Sequence, residues 1–430
     1  MASPLALRPP RDLTIPDEGS TTAREILSLS IRRLMGELRA MLRAMPCAPD
    51  ERAETERFAA VVERLFVESP GAVASLLRRP TVSSLARCLR NALRPDGDRA
   101  RAPDLARSLR ALVAFELALA GALPTELRIT RAPATLASLG ARASVRIPAD
   151  HTHVTFTAGA MTVHRAGGST RVDLTDRDAL ARPYHVVEGD LVLALTDNNP
   201  LAMYEAHPDK QGNAIDLGGH TLDEWRSTLR QSLALIAEYL PALRAEIDLF
   251  IQQLVPVGYD DHKHLSASYQ ESIGTIYLTL HPNLMTMTEA VIHEFSHNKI
   301  NALFELDELL ENAYWPLYAS PVRPDPRPLH GVILAVHAFQ PVAMLYEKMI
   351  AAGHPWSTKP DFLRRFEQVK KVNRDGAAVV LSNAKPTAIG VGLFDEMRRW
   401  DEHYARSASI TERTDSTSDG VGAATGLPSR

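Results

Sequence analysis

The segment His293-Glu294-Phe295-Ser296-His297 carries the clearest chemistry in this 430-residue chain. Histidines four positions apart on a helix share one face, with Cβ atoms roughly 6 Å apart, so both imidazoles can reach one ion. Glu294 lies about 100° round the helix from His293. From there it reaches an ion-bound water or a ligating imidazole, but it competes poorly as a ligand itself. This is the spacing of a metal site, with the glutamate as general base in the hydrolytic version of the motif.

Two imidazoles leave an ion under-coordinated, so a third ligand is expected downstream. His330 and His337 are two helical turns apart on one predicted helix and share a face. His337 lies deep in an apolar run, where a neutral imidazole needs a partner to offset burial, and it is the first candidate. His330, beside the helix start, is the alternative. Glu305 and Glu308 are carboxylate alternatives, but a straight helix carries them away from His297. Between the two helices, Pro321, Pro324, Pro326 and Pro328 predict a stiff, extended connection. Arg323 and Arg327 on it suit a bidentate grip on a carboxylate. Salt bridges to Asp325 or Asp307 compete for the same guanidiniums, and spacing leaves the two uses open.

The positioning elements are legible around the motif. Gly274 to Leu280 alternates as a strand with β-branched content. Thr286-Met287-Thr288-Glu289 has the form of a capping box, which places the motif in the second turn of a helix running to Phe304. Val291, Ile292 and Phe295 anchor that helix in a core.

Elsewhere, apolar residues recur at three- and four-residue steps from Thr22 to Leu123. Further helices are predicted over 52–68, 81–93 and 103–121, with breaks at Pro46, Pro49, Pro70, Pro80 and Pro95-Asp96-Gly97. Short runs from Leu127 to Leu195 predict a small antiparallel sheet. His151, His153, His164 and His185, without carboxylate or cysteine companions, read as structural residues of that sheet. A long amphipathic helix is expected from Leu222 to about Leu254, divided at Pro241. The expected fold is α+β and mainly α-helical. It comprises a disordered tail (1–20), a helical N-terminal region (21–125), a small β-rich region (126–200), a helical metal-binding catalytic domain (201–405) and a disordered tail (406–430).

Composition narrows the class. Net charge is −4, with 45% hydrophobic and 23% charged residues, ordinary for a globular chain and without a global field for nucleic acid or a membrane. The arginines of the first third, Arg32, Arg33, Arg78 and Arg79 among them, lack the interleaved aromatics of single-strand binding and read as solvated helix faces. Cys47 and Cys88 cannot build a disulfide framework, which fits a reducing compartment. The N-terminus lacks an apolar signal core. No stretch approaches the ~18 uninterrupted apolar residues of a membrane span. A cytoplasmic protein is expected.

Taken together, these residues resemble the HExxH-motif peptide-modification proteins of ribosomal peptide (RiPP) gene clusters. The resemblance covers roughly 260–350. It rests on the strand and helix with His293-Glu294-Phe295-Ser296-His297, on Asn301-Ala302-Leu303 and Tyr318-Ala319, and on Arg323-Pro324-Asp325-Pro326-Arg327-Pro328-Leu329 with Val336-His337-Ala338-Phe339. It implies a 2-oxoglutarate-dependent, iron(II) peptide β-hydroxylase that uses O2 on a side chain of a precursor peptide, with or without its leader peptide. It further implies that His293, His297 and His337 hold iron, that Arg327 or Arg323 meets the 2-oxoglutarate carboxylate, and that Glu294 supports a ligating histidine or bound water rather than acting as a base. The rival is a zinc metallopeptidase using Glu294 as general base. A third reading is a catalytically silent binding module that keeps the metal helix as scaffold. The N-terminal helices are open to leader-peptide docking, an oligomer interface or a structural role.

Overall fold

The computed structural model describes residues 11–204, 206–207 and 210–418. The chain divides into two compact units: Asp17–Asp307, and the N-terminal stretch through Pro16 joined to the chain from Glu308 onward. The division falls inside the region read from sequence as one catalytic domain, 201–405, and no boundary falls at 125 or 200. Sheet pairing explains the difference, because strands on both sides of residue 200 belong to one ladder.

The larger unit opens with α1 (Thr22–Leu42), α2 (Arg52–Glu68), α3 (Pro70–Arg78), α4 (Pro80–Ala92) and α5 (Ala102–Leu119). Pro70 and Pro80, read as breaks, are the first residues of α3 and α4. Proline suits that position because the N–H it lacks has no intrahelical partner there. Leu34, Leu38, Phe58, Val82, Leu89, Leu109 and Phe115 from these helices share one core.

Six strands follow: β1 (Leu127–Thr130), β2 (Thr135–Ser138), β3 (Ala143–Arg146), β4 (His151–Thr157), β5 (Ala160–Arg165) and β6 (Gly168–Asp173). Four form an antiparallel sheet in the order β1-β4-β5-β6, and β2 pairs with β3. His153 and His164 lie directly opposite across β4 and β5 and stack with ring centroids 4.2 Å apart, as structural members of the sheet. The antiparallel expectation holds to this point.

The next strands join a second sheet. β7 (Tyr184–Glu188) and β8 (Leu191–Ala194) are followed by the short ladder of β9 (Ala206–His207) and β10 (Lys210–Gln211). Then come α6 (Leu222–Tyr239), α7 (Pro241–Phe250), β11 (Gln253–Tyr259), β12 (Ser266–Ala267), β13 (Thr275–Leu280) and α8 (Leu284–Phe304). The sheet order is β12-β13-β11-β8-β7, with β11 parallel to both neighbours and the outer pairs antiparallel. The helix expected to reach Leu254 ends at Phe250, and its last residues belong to β11. Pro256 is tolerated in this inner strand because β8 pairs only with Gln253 and Leu254.

The smaller unit contains β14 (Leu317–Tyr318), β15 (Arg327–Pro328), α9 (Leu329–Ala351), α10 (Pro360–Asn383) and α11 (Gly390–Ser418). The proline-rich segment is not an extended strut: β14 and β15 pair, Tyr318 with Arg327, and close 319–326 into a loop. α10 packs on α9, where Gly376 faces Val336 with no room for a Cβ, and Tyr346 stacks on Phe366. Residues 11–16 are not a loose tail. Leu13 and Thr14 are buried, and their backbone N–H groups donate to the Glu396 carboxylate on α11, each at 2.8 Å. The tail expected from 406 begins as helix, since α11 continues to Ser418; residues 1–10 and 419–430 lie outside the described residues. Among the described residues, α9 alone is long and apolar enough to cross a membrane, and 78% of its apolar window is buried inside the protein, as in a core helix.

Candidate metal centre

The motif helix α8 starts earlier than its sequence suggests. Asn283, not Thr286, is the N-cap, its side chain accepting from the backbone N–H groups of Met285 and Thr286. Thr288 bonds back to the Leu284 carbonyl, and Glu289 is buried, so the capping-box reading fails. The motif therefore begins at the tenth helical residue, in the third turn, where the backbone is fully hydrogen-bonded on both sides.

Burial fixes the helix. Val291, Ile292 and Phe295 are buried, with Phe295 edge-on to Phe250 at 5.9 Å. Asn298, one residue beyond the motif and fully buried, accepts from Gly274 N at 2.7 Å. Its amide donates to the Glu294 carbonyl, to Ser268 Oγ and to the Thr275 carbonyl. Gly274 has φ +103°, and a Cβ there would meet the Phe250 carbonyl at 3.2 Å, so glycine is required where the strand meets the helix. Lys299 forms a buried ion pair with Glu246 of α7 at 2.7 Å.

His293 and His297 project from this anchored turn. Their Nε2 atoms lie 3.0 Å apart, with the rings at 86°. Nitrogens that share one ion at ~2.1 Å with right-angled to tetrahedral spacing are roughly 3.0–3.4 Å apart, so the pair is spaced as two ligands. Burial lowers the His297 pKa, against an opposing pull from the Glu294 carboxylate, and favours the neutral imidazole that binds metals. One Glu294 oxygen accepts from Ser266 Oγ at 2.7 Å. The other, Oε2, is buried and meets no hydrogen-bond partner among the described residues, as does His297 Nδ1. Among the described residues, His293, Glu294 and His297 form the one group of three or more candidate ligands with donor atoms all within 4.8 Å. Two converging imidazoles, that of His297 favoured as neutral by its burial, beside an orphaned carboxylate oxygen fit a divalent cation.

The remaining predicted residues have these surroundings. Glu305 caps the end of α8 and is held by Arg87 and Arg90 of α4, with an Arg90 contact of 2.7 Å. Burial pushes its pKa up, but the two guanidiniums prevail and hold it below the ordinary glutamate value. It is committed to that cluster and is no metal ligand. Glu308 begins the smaller unit, where its carbonyl accepts from Thr387 Oγ1. His330, His337, Arg323 and Arg327 also belong to the smaller unit. His337 is buried and donates from Nε2 to the Leu13 carbonyl at 2.9 Å. His330 stacks on Tyr314, and burial lowers its pKa. Arg327 pairs with Asp325 at 2.9 Å, both partly exposed, which is the competing use its spacing had left open. Arg323 is exposed.

Sequence reasoning missed Ser266, Asn298 and the Lys299–Glu246 pair. Asn298 and Lys299 had a signal: polar groups in an otherwise apolar helix must be satisfied. Ser266, on a two-residue strand, had none. No model of a known protein family matches this chain, and no curated protein matches it.

Proposed function

We propose that the chain is an iron(II)- and 2-oxoglutarate-dependent oxygenase that β-hydroxylates a side chain of a ribosomally made precursor peptide. The carrying observation is the His293–His297 pair, two imidazole nitrogens 3.0 Å apart on a helix pinned to a sheet. The resemblance over the downstream segment selects this reading among metal chemistries. Bound there, iron with 2-oxoglutarate and O2 supplies the oxidising power for C–H hydroxylation.

The protein's own groups have narrower tasks. His293 and His297 hold the ion. Glu294, held by Ser266, supports a ligating histidine or a bound water. His337 is the third ligand by resemblance, with His330 the alternative; ligation through His337 Nε2 requires giving up the Leu13 carbonyl. Arg327 or Arg323 meets the oxoacid carboxylate, and for Arg327 that means exchanging Asp325 for the ligand. A reducing, cytoplasmic setting suits iron(II) and the two free cysteines.

One observation favours the zinc metallopeptidase as second reading: Glu294 Oε2 is buried, unbonded and adjacent to the histidines, where a general base would stand. The deciding experiment loads the anaerobically purified protein with Fe(II) and follows conversion of 2-oxoglutarate to succinate with a co-encoded peptide. A peptide gaining one oxygen supports the hydroxylase. Peptide cleavage restored by Zn(II) and indifferent to 2-oxoglutarate establishes the peptidase instead.

A further inference from the structure

A second feature of the larger unit lies apart from the histidines. A cavity of about 400 Å³ opens among α4, α5, β2 and the 197–200 segment. Leu105 and Leu112 give it an apolar wall, and Arg101, Asp104 and Asp197 bring charge to it. Two of these charges are already engaged. Arg101 stacks on Tyr204 at 4.7 Å and donates to the Pro200 carbonyl, and Asp104 pairs with Arg107 at 2.7 Å.

Asp197 differs. Its carboxylate accepts from Tyr277 Oη at 2.7 Å and from Asn199 N at 3.0 Å, both neutral donors, and no cation pairs with it among the described residues. Burial holds its carboxyl above the ordinary aspartate value. Beside it, within electrostatic reach, Tyr184 Oη is buried and has no hydrogen-bond partner among the described residues. Asp197 is half-buried, and a carboxylate withdrawn that far from water without a counter-ion is disfavoured; a cation in the adjoining space would offset that cost.

We propose that this cavity binds a ligand carrying a cationic nitrogen on a short alkyl chain, with Asp197 as its counter-ion. The apolar wall takes the alkyl stem, and Asp197 takes the head group. Two sources share this chemistry, the side chain of a lysine in a peptide and a free diamine. The site requires no metal, so its test is independent of the histidine centre.

Calorimetric titration of the full chain, without added metal, separates the outcomes. The probes are Nα-acetyl-lysine methylamide, its neutral analogue Nα-acetyl-norleucine methylamide, and cadaverine. Binding of the lysine amide at least tenfold tighter than the norleucine amide supports the site and assigns a peptide ligand. The same preference shown by cadaverine alone supports it and assigns a free diamine. Asp197→Asn should weaken the bound probe at least tenfold while the protein keeps its native circular dichroism. Ser108→Phe, placed on a half-buried lining residue, should block the cavity and do the same. Failure of both cations to bind, or unchanged binding in both variants, overturns the proposal.

Discussion

Helices α8 and α9 are both apolar, both carry two histidines, and compensate them in opposite ways. On α9 the histidines are seven residues apart and each finds a structural neighbour: His337 the Leu13 carbonyl, His330 the Tyr314 ring. On α8 they are four apart and find one another at 3.0 Å. A backbone carbonyl satisfies an imidazole nitrogen without any added ligand. A second imidazole satisfies it only until an ion takes both nitrogens. Burial of a histidine therefore says little about function, and the identity of its compensating partner says more.

That contrast can be broken or sharpened by experiment. His293→Ala or His297→Ala should each reduce bound metal, measured by mass spectrometry of the dialysed protein, to background. Retention of stoichiometric metal by either variant would end the reading of α8. Lys299→Met removes the ion-pair partner at 2.7 Å from buried Glu246 and should cost about 3–5 kcal/mol in urea unfolding. Adding Glu246→Leu should recover most of that loss, and if it does not, the pair contributes more than its mutual attraction. His337→Ala orphans the Leu13 carbonyl and should cost roughly 1–3 kcal/mol of stability. If it also empties the metal, α9 joins the centre as the resemblance implies; if only His330→Ala does so, the third ligand is His330.

Smaller effects follow. Ser266→Ala releases Glu294 and should weaken metal binding by about tenfold, the low end for a residue supporting a ligand set; an unchanged affinity would leave Ser266 a packing residue. The smallest effect concerns pH. Burial lowers the pKa of His153 and His185 below the ordinary 6.5. Above about pH 6.5 neither the folded nor the unfolded state is protonated at these sites. As pH falls below that value the unfolded chain takes up protons first, so stability is lost. Thermal melts should therefore fall between about pH 7.5 and pH 5.5, and His153→Gln should flatten the slope. A slope of the opposite sign would refute the assignment.

Much of the local structure was legible. The 3.6-residue recurrence set α2, α4 and α5 to within two residues, and strand β13 and the motif helix were readable from alternation and spacing. Competing local signals produced the errors. Both Asn283 and Thr286 are good caps, and the helix took the earlier one. Apolar residues flank Gln252-Gln253 after α7 with no Gly or Pro between them, so the switch from helix to β11 was invisible until the parallel neighbours were known. The division at Asp307 carries no turn or composition signal, and Leu13 is held by a residue far along the chain, Glu396. Contacts of that range leave no local trace. At the site, the histidines were plain from spacing, and Ser266 was not, because its role exists only through pairing with β13.

Asn298 has one further consequence. By joining the turn after the histidines to Gly274, Thr275 and Ser268, it removes sliding and rotation of α8 against its sheet. An ion arriving there would meet a preorganised pair and need not spend its binding energy on ordering the helix. Loading is then a local event: it should proceed without a change in helical content, and removal of the ion should leave a folded protein ready to be refilled with a different one.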